Sequence, residues 1–189
     1  MLFRSGNILS GEQHGHIASV GFDTYVRLLD ETVRELRGEE APLEVQSTLN
    51  LGLDIRIPST YIADEQQRLR AYKKIADLRD EEQASAARAE LEDRYGPIPD
   101  AVDTLIEFAQ LKAAAQRLAI EAVDRRGNTL NIKFHPGSRI EPAKLMSLLS
   151  SRTGTQFTPA GVLRIPMAPG PETAPAVLNE LKQSLAGLA

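Results

Sequence analysis

Ala119-Ile120-Glu121-Ala122-Val123-Asp124 and Leu130-Asn131-Ile132-Lys133-Phe134 flank Arg125-Arg126-Gly127-Asn128-Thr129. Both flanks are strand-length, and Gly-Asn at the centre suits a tight hairpin turn. Upstream the apolar residues recur at helical spacing; here the period shortens toward two. A hairpin placed after a block of helices decides the fold class.

Working downstream, the pattern predicts a helix over 141–151 and a second hairpin. In that hairpin 155–158 and 162–165 flank Pro159-Ala160-Gly161. Met167-Ala168-Pro169-Gly170-Pro171 reads as a rigid linker before a terminal amphipathic helix over 172–187.

Working upstream, Leu49, Leu51, Leu53, Ile55 and Ile57 alternate with Asn50, Gly52, Asp54 and Arg56, which predicts a strand ended by Pro58. Asp64 is placed to cap a helix over 65–78. A second, alanine-rich helix over 81–95 closes at Gly96-Pro97. A third over 100–118 buries Val102, Leu105, Ile106, Leu111 and Leu118. Strands and helices come in blocks, so the expected class is α+β: an antiparallel sheet of about five short strands packed against helices.

The first part of the chain reads differently. Gly6, Gly11 and Gly15 make an irregular loop, and Phe22, Tyr25, Val26, Leu29, Val33 and Leu36 form one stripe of a helix over 19–37. Gly38 ends that helix, and Glu39-Glu40-Ala41-Pro42 is a polar connector. The expected organisation is therefore two parts, 1–45 and 46–189.

The 189 residues are 42% hydrophobic and 25% charged, a globular composition, and they include no cysteine. That excludes a disulfide framework, thiol catalysis and cysteine-based zinc sites. Arg4, Glu12 and two histidines in the first twenty residues do not fit a secretory signal, and no apolar run reaches membrane-span length. A cytoplasmic location is expected. Residues 1–45 hold 4 Lys/Arg against 8 Asp/Glu, residues 46–100 hold 8 against 11, and residues 101–189 hold 10 against 7. Basic residues are interspersed with acids, which favours protein partners over autonomous nucleic-acid binding.

Familiar catalytic motifs are missing: there is no phosphate-binding Gly-rich loop with Lys-Ser/Thr, no Gly-x-Ser-x-Gly and no His-Glu-x-x-His. His14 and His16 with Glu12 offer metal donors, but no fourth ligand lies near them. His135 precedes Pro136-Gly137 at a strand end, where a lone histidine is usually structural. Glu90, Asp93 and Arg94 fall at i, i+3 and i+4 of the second helix, so their heads share one face. That face is either solvated, with an internal Glu90–Arg94 pair, or a docking surface for an oppositely patterned partner.

Several stretches together carry a resemblance. Gly6-Asn7-Ile8-Leu9, Glu12-Gln13-His14-Gly15-His16 and Val20-Gly21-Phe22-Asp23-Thr24-Tyr25 resemble the end of the motor of the bacterial transcription-repair coupling factor (Mfd) family. Asp54-Ile55-Arg56-Ile57-Pro58, Tyr61-Ile62 and Gln67-Arg68-Leu69-Arg70 with Tyr72-Lys73-Lys74-Ile75-Ala76 resemble the opening of its C-terminal domain. Glu90-Leu91-Glu92-Asp93-Arg94-Tyr95-Gly96-Pro97-Ile98-Pro99 is similar to its most recognisable internal motif.

The resemblance implies an ATP-dependent DNA translocase that removes stalled RNA polymerase from damaged DNA and recruits the repair protein UvrA. It implies that ATP and Mg are held by motor lobes outside this chain, with no cofactor, metal or membrane partner here. Residues 1–45 would be the tail of the second motor lobe, with Gln13 the surviving member of the translocation motif. Residues 46–189 would be the C-terminal domain, which packs on the UvrA-binding region of the same protein and masks it through Glu90, Asp93 and Arg94. Phe3-Arg4-Ser5-Gly6-Asn7 departs from the family's Arg-Gly-Ala-Gly-Asn, and with Met1 beside it a truncated start is expected. The competing expectation is a small stand-alone enzyme whose carboxylates and His135 act without a familiar motif.

Overall fold

A computed structural model of the chain describes residues 45–138, 140–167 and 173–189. The expected loop over 1–16, the helix over 19–37, the connector and most of the linker after Met167 lie outside the described residues. Among the described residues five strands and five helices follow in the order β1 (Thr48–Asn50), α1 (Glu65–Ala76), α2 (Glu81–Tyr95), α3 (Asp100–Arg117), β2 (Ile120–Arg126), β3 (Thr129–Phe134), α4 (Pro142–Ser151), β4 (Gln156–Phe157), β5 (Val162–Pro166) and α5 (Ala174–Ala186). The sheet order is β1-β2-β3-β5-β4. This is the α+β class expected from the sequence.

Local chemistry sets the helix ends. The Asp64 carboxylate accepts the Gln67 N–H at 2.8 Å, and Asp80 accepts that of Gln83 at 2.8 Å. Each satisfies a first-turn donor that has no helical partner. Gly96 stops α2 at φ 84°, a left-handed conformation that only glycine adopts without steric cost. Gly127 does the same at φ 55° in the two-residue turn between β2 and β3, where Arg126 pairs with Thr129.

The sheet departs from the expectation in one respect. β2, β3, β5 and β4 pair antiparallel, but β1 runs parallel to β2, with Thr48 opposite Ala122 and Asn50 opposite Asp124. Three helices separate the two strands, and a crossover of that length permits a parallel return. The strand expected through 57 is also shorter: only Thr48–Asn50 joins the ladder. Gly52 takes φ 67° and turns the chain away, yet Leu51, Ile55 and Ile57 remain buried. The alternation reported a buried face, not a ladder.

α3 is the central helix. It touches α1, α2, α5 and β2, and it buries Val102, Leu105, Ile106 and Ala115 completely. The inward side chains of β2, β3 and β5 (Val123, Leu130, Ile132, Leu163 and Ile165) are likewise fully buried, as are Leu178 and Leu181 of α5. Full burial of one such side chain is worth about 1.5–3 kcal/mol, so this layer dominates the stability. α1 and α2 form the outer layer of the helical side, and α2 carries the candidate site.

Candidate docking face on α2

α2 is held rigidly from both sides. On one side Arg88 reaches Asp103 of α3 at 2.7 Å, and Gln110 of α3 donates to Glu81 at 2.5 Å. At the other end the Tyr61 hydroxyl bonds the carbonyls of Leu91 (3.0 Å) and Gly96 (3.1 Å). Tyr61 and Tyr95 meet edge to face, with centroids 5.8 Å apart, and the Tyr95 hydroxyl donates to Gln67 of α1 at 3.0 Å. Arg68, itself buried, donates to the carbonyls of Ile62 (2.7 Å) and Ala63 (2.8 Å), so the loop bearing Tyr61 is fixed to α1. Tyr72 anchors the preceding segment, because its hydroxyl accepts the Ile57 N–H at 2.6 Å.

On that scaffold the three residues singled out by spacing behave differently. Glu90 and Arg94 pair at 3.3 Å, the helical i, i+4 contact. Glu90 also accepts the Lys74 ammonium of α1, an inter-helix ion pair that the spacing within α2 could not reveal. The Lys74 hydrogen bond first, and the charge behind it second, hold the Glu90 carboxyl below its ordinary range, with Arg94 adding less. The Arg94 guanidinium lies 5.5 Å from the Tyr95 ring centroid, a cation–π distance. Asp93 is exposed and, among the described residues, makes no hydrogen bond or ion pair. The face therefore consists of one paired carboxylate, one exposed arginine and one open carboxylate, on a backbone that has little freedom to move.

The remaining candidates do not join it. His135 follows β3, and its Nδ1 accepts the Gly137 N–H at 3.0 Å, a turn-closing role. Among the described residues no group of three His, Asp or Glu side chains is placed to hold a metal ion. Gln13, His14 and His16 lie outside the described residues. No helix among the described residues is long and apolar enough to cross a membrane. Lys74 and the Tyr61–Tyr95 support were missed as site residues; the Lys73-Lys74 pair one helix upstream was the available signal for the first.

Comparison with known proteins bears on what the face is for. The TRCF domain family matches residues 51–145, about half of the chain. The transcription-repair-coupling factor of Myxococcus xanthus is 30% identical over 184 residues, covering 97% of this chain and 15% of that protein. That of Staphylococcus epidermidis is 37% identical over 134 residues, covering 70% and 12%. That of Escherichia coli K12 is 33% identical over 153 residues, covering 78% and 13%. The chain thus spans about a seventh or less of the length of these relatives. A crystal structure of the C-terminal domain of transcription-repair coupling factor has the same fold, with a TM-score of 0.61 and 23% identity over 74% of this chain and 93% of that one.

Proposed function

The chain belongs to the TRCF domain family of the transcription-repair coupling factors, and from that premise we propose that it is a regulatory interaction domain and not a catalyst. Its α2 face docks on the UvrA-binding region of the same parent protein and keeps UvrA away. The parent is an ATP-dependent translocase that displaces stalled RNA polymerase, meets DNA through its motor lobes and holds ATP and Mg there. Residues 1–45, with Gln13, are the end of that motor, and residues 46–189 hold no cofactor.

The observation that supports this reading is Asp93: a carboxylate left open on a rigid face beside the exposed Arg94. A partner presenting basic side chains completes it. Truncating one member of a charge pair desolvated at an interface costs about 2–5 kcal/mol. Exposed substitutions of this kind usually change stability by no more than about 0.5 kcal/mol.

Calorimetry with the separately made UvrA-binding region tests the reading. The E90A/D93A/R94A variant is expected to keep its melting curve and lose docking, with the wild-type contact weakening in high salt. In the whole parent the same change is expected to expose UvrA binding and raise ATP turnover, because the masked state is the one destabilised. Unchanged affinity with an unchanged melt returns the face to an ordinary solvated helix surface.

A further inference from the structure

α1 and α2 lie side by side, and an open trough of about 530 Å3 runs between them on the solvent side. Its floor is apolar: Leu78 and Ala87 are buried there, and Ala86 stands exposed on the α2 rim. The α1 rim is cationic, carrying Arg70, Lys73 and Lys74 against the single carboxylate Asp77. Lys74 is taken by Glu90. The Arg70 and Lys73 side chains are exposed and, among the described residues, make no ion pair or hydrogen bond. Two unneutralised cations three residues apart stand about 5–6 Å apart at their Cβ atoms on one helix face. In a chain of net charge −4, this is a local reversal of sign.

We propose that this trough docks an acidic peptide segment of a partner protein, with carboxylates on Arg70 and Lys73 and a small apolar side chain on Ala86 and Ala87. Charge complementarity selects the sign of the occupant, and the floor selects its kind. Carboxylates at i and i+3 or i+4 of a helical peptide match the spacing of the two cations. Alanines on the α2 wall let a peptide backbone approach closely, and their methyl groups give an apolar side chain somewhere to rest. Nucleic acid fits less well, since its affinity grows with the number of phosphates neutralised, and two open cations beside Asp77 neutralise few. The site adjoins the face of Glu90, Asp93 and Arg94 through the Lys74–Glu90 pair, but its cations are different residues and it stands if that reading fails.

The probe is a labelled peptide of four Glu-Glu-Leu-Ala repeats, titrated onto the full chain by fluorescence anisotropy, with amide shifts followed by NMR. Saturable binding is expected, with shifts concentrated at residues 70–74 and 86–87 and affinity falling as salt rises. Arg70→Glu with Lys73→Glu is expected to weaken binding by about tenfold or more; Arg70→Gln with Lys73→Gln repeats the test if charge reversal disturbs the fold. E90A/D93A/R94A releases Lys74 and is expected to tighten the peptide while loosening the UvrA-binding region, which separates the two surfaces. Equal affinity for a Gln-Gln-Leu-Ala peptide overturns the proposal, as does equal affinity of the Arg70/Lys73 variants. Displacement by duplex DNA at matched charge concentration also overturns it and assigns the cations to phosphate.

Discussion

Lys74 and Glu90 stand on different helices, yet their ion pair joins the last turn of α1 to the face of α2. It gives Glu90 a partner that its own helix does not supply, and it leaves Asp93 as the carboxylate of the face whose side chain, among the described residues, has no partner. Both partners are half exposed, so solvent screens the pair and its contribution to stability is small. Its larger effect is to set which charges a docking partner meets.

Replacing Lys74 by Met is expected to raise the Glu90 pKa toward the ordinary carboxylate range, leaving only the weaker Arg94 contact to hold it down. A carboxyl depressed in the folded state stabilises above its unfolded pKa and stops doing so as pH falls through its folded value. The small stabilisation from this pair is therefore present at neutral pH and fades in acid. Carboxyl-carbon NMR titration of wild type and Lys74→Met reads the shift directly; superimposable Glu90 curves would contradict it.

Tyr72→Phe removes the acceptor of the buried Ile57 N–H. Leaving such a donor unsatisfied costs about 1–3 kcal/mol. A urea-unfolding midpoint lowered accordingly, with unchanged m-value, is the expected result. A midpoint equal to wild type would mean that the 2.6 Å contact contributes nothing net.

Residues 46–189 are expected to fold without residues 1–45. Among the described residues the central helix α3, the sheet and α5 bury one another's apolar faces. A cooperative thermal transition of the shortened chain by circular dichroism is the check. A broad, non-cooperative melt would place essential packing in the removed residues.

Purified chain is expected to show no ATP turnover, with or without DNA, since its sequence lacks a phosphate-binding loop. A coupled phosphate-release assay decides this. DNA-stimulated release that copurifies with the chain through two unrelated columns would contradict it.

The parts legible in the sequence were those governed by neighbours a few residues apart. Asp64 caps a helix through a donor three residues on, Gly96 and Gly127 turn where only their missing Cβ permits, and apolar spacing marked α3 as a buried helix. For the same reason the sequence alone assigns Glu90, Asp93 and Arg94 to one helix face, because helical geometry carries i, i+3 and i+4 to the same side. Long-range partners were not legible. Alternation from Leu49 to Ile57 encodes a buried face, but which strand supplies hydrogen bonds depends on a chain that returns 74 residues later, opposite Asn50 at Asp124. The Lys74–Glu90 pair and the trough between α1 and α2 likewise depend on how those helices pack on each other and on α3, and the Tyr72 hydroxyl meets Ile57 only where α1 packs on the segment before it. Periodicity specifies what a face buries; only packing decides what that face meets.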